Sequence, residues 1–116
     1  VIAWDGGRNV AEAVGFISAS GLLSGIEATL LHVDQRGDPI EPEAAVIHQL
    51  EASGVSVTFD HRSGRVAETI VQSATDLSAQ LIVMGAFSQS RIRHLVSGST
   101  TREVLSVAAC SVLVTH

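Results

Sequence analysis

Chemistry in this chain is concentrated in one segment. Between Asp76 and Glu103 there is no acidic residue, yet the segment carries Arg91, Arg93 and Arg102 together with Ser88, Ser90 and His94, and runs into Gly98-Ser99-Thr100-Thr101. Backbone N–H groups at a Gly-Ser helix start, backed by the helix dipole, bind small anions such as phosphate. The same Ser and Thr residues can equally satisfy the orphan N–H groups of an ordinary helix start. The charge distribution favours the anion site, because a protein of net charge −5 has gathered three of its seven arginines there. Asp5 is a second candidate. Its carboxylate could accept hydrogen bonds from ribose hydroxyls or an adenine amine, or it could only shape the Gly6-Gly7 turn. Trp4 beside it reads as core.

The remaining candidates point away from catalysis. His32, His48, His61, His94 and His116 show no metal-ligand spacing, so scattered surface or core histidines are expected. Cys110, the single cysteine, excludes an internal disulfide and reads as a buried, inert thiol at the start of a strand. The chain has no Lys, which excludes Schiff bases, P-loop clamps and Ser-Lys dyads, and neither G-x-S-x-G nor G-x-G-x-x-G occurs. No nucleophile, base and acid assemble by spacing. The expected site binds; no catalytic residue is assigned, and any phosphoryl hydrolysis near Ser99, Arg91 and His94 would be slow.

The elements that position these residues follow from hydrophobic periodicity. Val1 to Trp4 is a short apolar run ending at Asp5-Gly6-Gly7, and Val10, Ala13, Val14 and Ile17 then recur at helical spacing until Gly21. Ala28 to Val33 predicts a strand, followed by the turn formers Asp34, Gly37, Asp38 and Pro39. Glu41-Pro42-Glu43 suits a first helical turn, and Ala44, Ile47 and Leu50 continue that helix to Gly54. Val55 to Phe59 alternates as an edge strand does. Val66, Ile70, Ala74 and Leu77 predict a helix, and Leu81 to Met84 a strand buried on both faces. After a loop from Gly85 to Ser97, Gly98 to Ala108 predicts a helix and Val112-Leu113-Val114 a last strand.

This alternation predicts an α/β fold: one domain over residues 1–116, a parallel sheet with helices on both faces. With strand order 3-2-1-4-5, ligands would bind where the order reverses, beyond the carboxyl ends of the first and fourth strands at Asp5 and Gly85. At 46% hydrophobic and 16% charged residues the chain should fold, with about two-thirds of its surface buried without staples. The acidic balance argues against nucleic acid, and the short apolar runs against a membrane span. A reducing, cytoplasmic setting is expected.

Met84-Gly85-Ala86-Phe87-Ser88-Gln89-Ser90, continuing through Gly98-Ser99 to Cys110-Ser111-Val112-Leu113-Val114, resembles the C-terminal half of a universal stress protein (UspA-type) domain. That family's signature there is Gly, two residues, Gly, nine residues, Gly, then Ser or Thr. Trp4-Asp5-Gly6 and Leu31-His32-Val33 are also similar, so the resemblance covers essentially the whole chain. It implies the nucleotide alpha hydrolase-like five-stranded fold in the order 3-2-1-4-5, dimerisation through the last strand, and in one branch ATP or a related adenine nucleotide, with magnesium accompanying ATP. By position, Asp5 and Val33 would hold the nucleoside, Gly85 would open the phosphate loop, and Gly98, Ser99 and Thr100 would close on the phosphates. Arg91 and Arg93 would neutralise charge.

One position departs from the family. Ser88 stands where the second glycine belongs, and Ser enters positive φ less readily than Gly, although its hydroxyl could itself donate to phosphate. The resemblance thus leaves two functions open: a nucleotide-binding sensor or regulator of a stress response, or a dimerisation domain with a degenerate phosphate loop. Beginning at Val1, the chain is expected to be one half of a tandem pair, or to pair with a second copy through Val112, Leu113 and Val114.

Overall fold

The structure is a computed structural model that describes residues 1–34, 44–85 and 99–115. Nine elements alternate among the described residues: β1 (Ile2–Ala3), α1 (Arg8–Ser20), β2 (Glu27–Asp34), α2 (Ala44–Ala52), β3 (Ser56–Ser63), α3 (Val66–Asp76), β4 (Leu81–Gly85), α4 (Ser99–Val107) and β5 (Ser111–Thr115). The strands form one sheet in the order β3-β2-β1-β4-β5, with all four neighbouring pairs parallel. The α/β class and strand order expected from the sequence are both observed.

Each element forms for a local reason. In α1 the stripe Val10, Ala13, Val14 and Ile17 is fully buried, and Gly21 ends the helix in the left-handed conformation at φ 66°, donating its N–H to the Ile17 carbonyl. In β2, the central residues Leu30 and Leu31 are at most 1% exposed although they point to opposite faces, the signature of a strand covered on both sides. From Ser56 to Phe59 β3 alternates exposed and half-buried positions, as an edge strand with one covered face does; beyond Phe59 the phase switches, with Asp60 and Arg62 half-buried and His61 exposed. It is longer than its apolar pattern predicts. Asp60, His61, Arg62 and Ser63 continue pairing with Leu31 to Asp34, because backbone hydrogen bonding to β2 holds a polar segment that hydropathy alone would end.

Two cores share the sheet. On one face α1 and α2 pack Val10, Val14, Ile17, Val46 and Leu50 against Ile2, Trp4, Leu30 and Val83. On the other, α3 and α4 pack Ala67, Ile70, Ala74 and Val104 against Leu31, Ile82 and Met84. β5 occupies the second edge, with Val112 and Val114 against the α3/α4 core and Leu113 against the α1/α2 core. Among the described residues no helix is long and apolar enough to cross a membrane.

Candidate functional site

The order of strands reverses between β1 and β4, and the chain folds tightly there. Trp4 extends the β1–β2 pairing by donating its N–H to the Leu31 carbonyl at 2.7 Å, as expected for a residue of the core, where it is 5% exposed. Asp5 follows, exposed, and its Oδ1 accepts the Gly7 N–H at 2.7 Å. Gly6 has φ 74°, a left-handed conformation that favours glycine, and Gly7 leads into α1. Asp5 thus does shape the Gly6-Gly7 turn. One carboxylate oxygen is engaged in that turn.

Gly85 ends β4 directly beside this turn. A Cβ there would stand 2.9 Å from Asn9 Cβ and 3.0 Å from the Val10 backbone nitrogen, so only glycine lets the strand end close onto the first turn of α1. Thr115, at the end of β5, fastens the same place by donating its hydroxyl to the Asn9 carbonyl at 2.8 Å. The carboxyl ends of β1, β4 and β5 are therefore drawn together around the start of α1. Ser99 is the first residue of α4 and Thr100, half-buried, the second; that helix begins on the opposite face of the sheet.

Val33 is the penultimate residue of β2, half-buried and packed against the α3/α4 core. Asp5, Val33, Gly85, Ser99 and Thr100 all lie at the carboxyl end of the sheet or at the start of a helix that faces it. Ser88, Arg91, Arg93, His94 and Gly98 lie outside the described residues, as does Glu41-Pro42-Glu43. Arg102 is exposed on α4. Among the described residues no group of three His, Cys, Asp or Glu side chains could hold a metal ion.

Cys110 departs from expectation. It is half-buried, not buried, and lines a shallow groove with Val71, Ala74, Ala79 and Ile82 at the amino end of the sheet, away from the switch point.

The histidines hold a feature that spacing did not reveal. In the β2–β3 register His32 stands opposite His61; their rings stack with centroids 5.7 Å apart and planes inclined by 14°. His32 is buried, and its Nδ1 lies 2.9 Å from the Trp4 carbonyl. A carbonyl can only accept, so His32 Nδ1 carries the proton. His61 Nε2 lies 3.9 Å from Oδ2 of the buried Asp34. The signal was present in principle: a parallel register pairing Leu30 with Phe59 also pairs the two histidines. Periodicity within single strands cannot supply that register.

Comparison with known proteins agrees with this architecture. The model of the universal stress protein family matches residues 27–116. A universal stress protein of Synechocystis is 32% identical over 97% of this chain, which spans 40% of that relative's length. A universal stress protein from Archaeoglobus fulgidus superposes with a TM-score of 0.74 at 18% identity, over 99% of this chain and 90% of that one. Another, solved in complex with cAMP, superposes with a TM-score of 0.68 at 22% identity, over 99% and 93%. The family match spans most of the chain, and the strand order and helix layers are those of these folds: the chain belongs to the universal stress protein family.

Proposed function

We propose that this chain binds an adenine nucleotide at the switch point between β1 and β4 and acts as a sensor or regulator in a stress response. The observation that carries this reading is Gly85. Its missing side chain brings the end of β4 against the Asn9-Val10 backbone, leaving Asp5 at the rim where a nucleoside would enter. The second Asp5 oxygen would accept from a ribose hydroxyl or adenine amine, Val33 would flank the base, and the α4 start at Ser99 and Thr100 would meet the phosphates with Gly98, Ser88, Arg91 and Arg93. The cAMP held by one structural neighbour supports the ligand class. With ATP, magnesium would be carried by the phosphates. The protein would act in the cytoplasm.

Calorimetric titration with ATP, ADP, AMP and cAMP tests the reading. Saturable binding is expected; absence of heat at millimolar nucleotide would sink it.

A second reading is favoured by β5. That strand lies on the sheet edge, and Val112, Leu113 and Val114 are all half-buried and apolar, whereas the opposite edge strand β3 carries Asp60 and Arg62. An apolar edge without charged protection invites pairing, with a second copy or a tandem domain. If Ser88 has made the phosphate loop degenerate, dimerisation would proceed without nucleotide. Sedimentation with and without ATP separates the readings, and Ser88→Gly should then create affinity that the native chain lacks.

A further inference from the structure

Gly85 and Thr115 are register partners at the ends of β4 and β5, and both meet Asn9 at the start of α1. Gly85 does so because a side chain there would collide with it; Thr115 does so by donating its hydroxyl to the Asn9 carbonyl at 2.8 Å. We propose that Thr115 is a positioning residue: through Asn9 it holds the first turn of α1 and the Asp5-Gly6-Gly7 turn, and so sets the affinity of the site for a nucleoside. Its effect on affinity rests on the nucleotide reading above; its hold on α1 does not.

The path from Thr115 to Asp5 is continuous. Asn9 is the second residue of α1, and in the same turn Ala11 donates its N–H to the Gly7 carbonyl at 3.2 Å. Gly7 in turn donates its own N–H to Asp5 Oδ1 at 2.7 Å. A Cβ on Gly7 would stand 2.8 Å from that oxygen, so glycine leaves the carboxylate room to fold back. Planar peptide units join these hydrogen bonds into one linkage between the end of β5 and the Asp5 carboxylate.

Apolar packing does not by itself fix where the first turn rests. Val10 and Val14 are each 1% exposed and hold α1 against the sheet, but burial is non-directional. A hydrogen bond has a preferred length and angle, so the Thr115 hydroxyl places the Asn9 carbonyl relative to the strand ends. That carbonyl has two lone pairs and can serve both the helix and Thr115. The donor also stands on a rigid element. β5 pairs with β4 from Ser111 to Thr115, and Leu113, two residues before Thr115 and therefore on the same face, packs into the α1/α2 core. The β-branched side chain of Thr115 has restricted χ1, so its hydroxyl is presented with little freedom to lose.

Thr115→Val keeps the shape and removes the donor, whereas Thr115→Ser keeps the donor. In the full chain without nucleotide, water exchange of the Gly7 and Ala11 amides, followed by NMR, should quicken in Thr115→Val and recover in Thr115→Ser. The Gly21 amide, bonded to Ile17 at the far end of α1, should not change. No quickening, quickening along the whole helix, or no recovery with serine overturns the positioning role. By calorimetry, Thr115→Val should weaken adenosine, AMP and ATP by one common factor, about threefold to tenfold, the worth of one neutral hydrogen bond. The factor is common because in the proposed site the Asp5 turn meets the nucleoside and the α4 start meets the phosphates. A loss that grows with the number of phosphates, or no loss, defeats the effect on affinity. A native chain that binds none of the three strikes the nucleotide reading itself, and the exchange rates then decide on Thr115 alone. Should Thr115→Val not fold, Thr115→Ala against Thr115→Ser makes the same comparison.

Discussion

Gly85 and Asp5 divide the work of the switch point between shape and charge. The added methyl in Gly85→Ala would meet a backbone nitrogen at 3.0 Å and Asn9 Cβ at 2.9 Å, neither the far end of a flexible side chain, so β4 or α1 must shift. A loss of about 1–3 kcal/mol in urea-unfolding stability is expected, as for overpacking elsewhere. Asp5→Ala acts differently. It removes one exposed, charge-assisted hydrogen bond to Gly7, costing about 1 kcal/mol, while removing the proposed nucleoside contact altogether. Nucleotide affinity should therefore fall much further than stability, as calorimetry and urea unfolding of the same variant would measure. Equal small losses in both would reduce Asp5 to a turn former. The sequence left Asp5 open between these roles because a carboxylate before two glycines suits both.

At the level of elements, the charged staple between β3 and α3 gives a pH dependence. The Arg62 guanidinium, with help from Gln72, holds Asp76 below the ordinary carboxyl value of 3.8, and Arg62 also bonds Asp60 at 2.9 Å. Because the folded-state value is depressed, the folded protein binds fewer protons than the unfolded chain in this window. The stabilisation is complete above the unfolded value and is lost as pH falls through the folded one. Asp76→Asn should flatten that acid limb in urea titrations, and the effect should shrink as salt is raised. The strands that hydropathy located best are β2 and β4, whose apolar runs reflect burial on both faces. β3 was cut short because its last four residues are polar and are held by pairing with β2, a long-range contact invisible to local pattern.

For the molecule as a whole, two cores back onto one sheet and should not melt apart. Leu30 and Leu31 are neighbours in sequence, yet each anchors a different face and neither is more than 1% exposed. Leu30→Ala and Leu31→Ala should each cost about 2–5 kcal/mol. Both should shift the same single transition, followed by circular dichroism and by Trp4 emission, which reports the α1/α2 core. Non-coincident curves would show that the layers unfold separately. The same strand explains the limits of local pattern. The alternation of helices and strands and the doubly buried strands were legible, because each is written in consecutive residues and reflects local burial. From them followed the α/β class; the strand order came with the family resemblance, which rests on the residues around Gly85 and Gly98. What tertiary structure alone decided were contacts between elements distant in sequence: Gly85 of β4 against Asn9 and Val10 at the start of α1, Thr115 of β5 on the Asn9 carbonyl, and, by strand register, His61 stacked on His32 beside Asp34. Register depends on how parallel strands align across a helical crossover, and no residue within either strand specifies that alignment by itself.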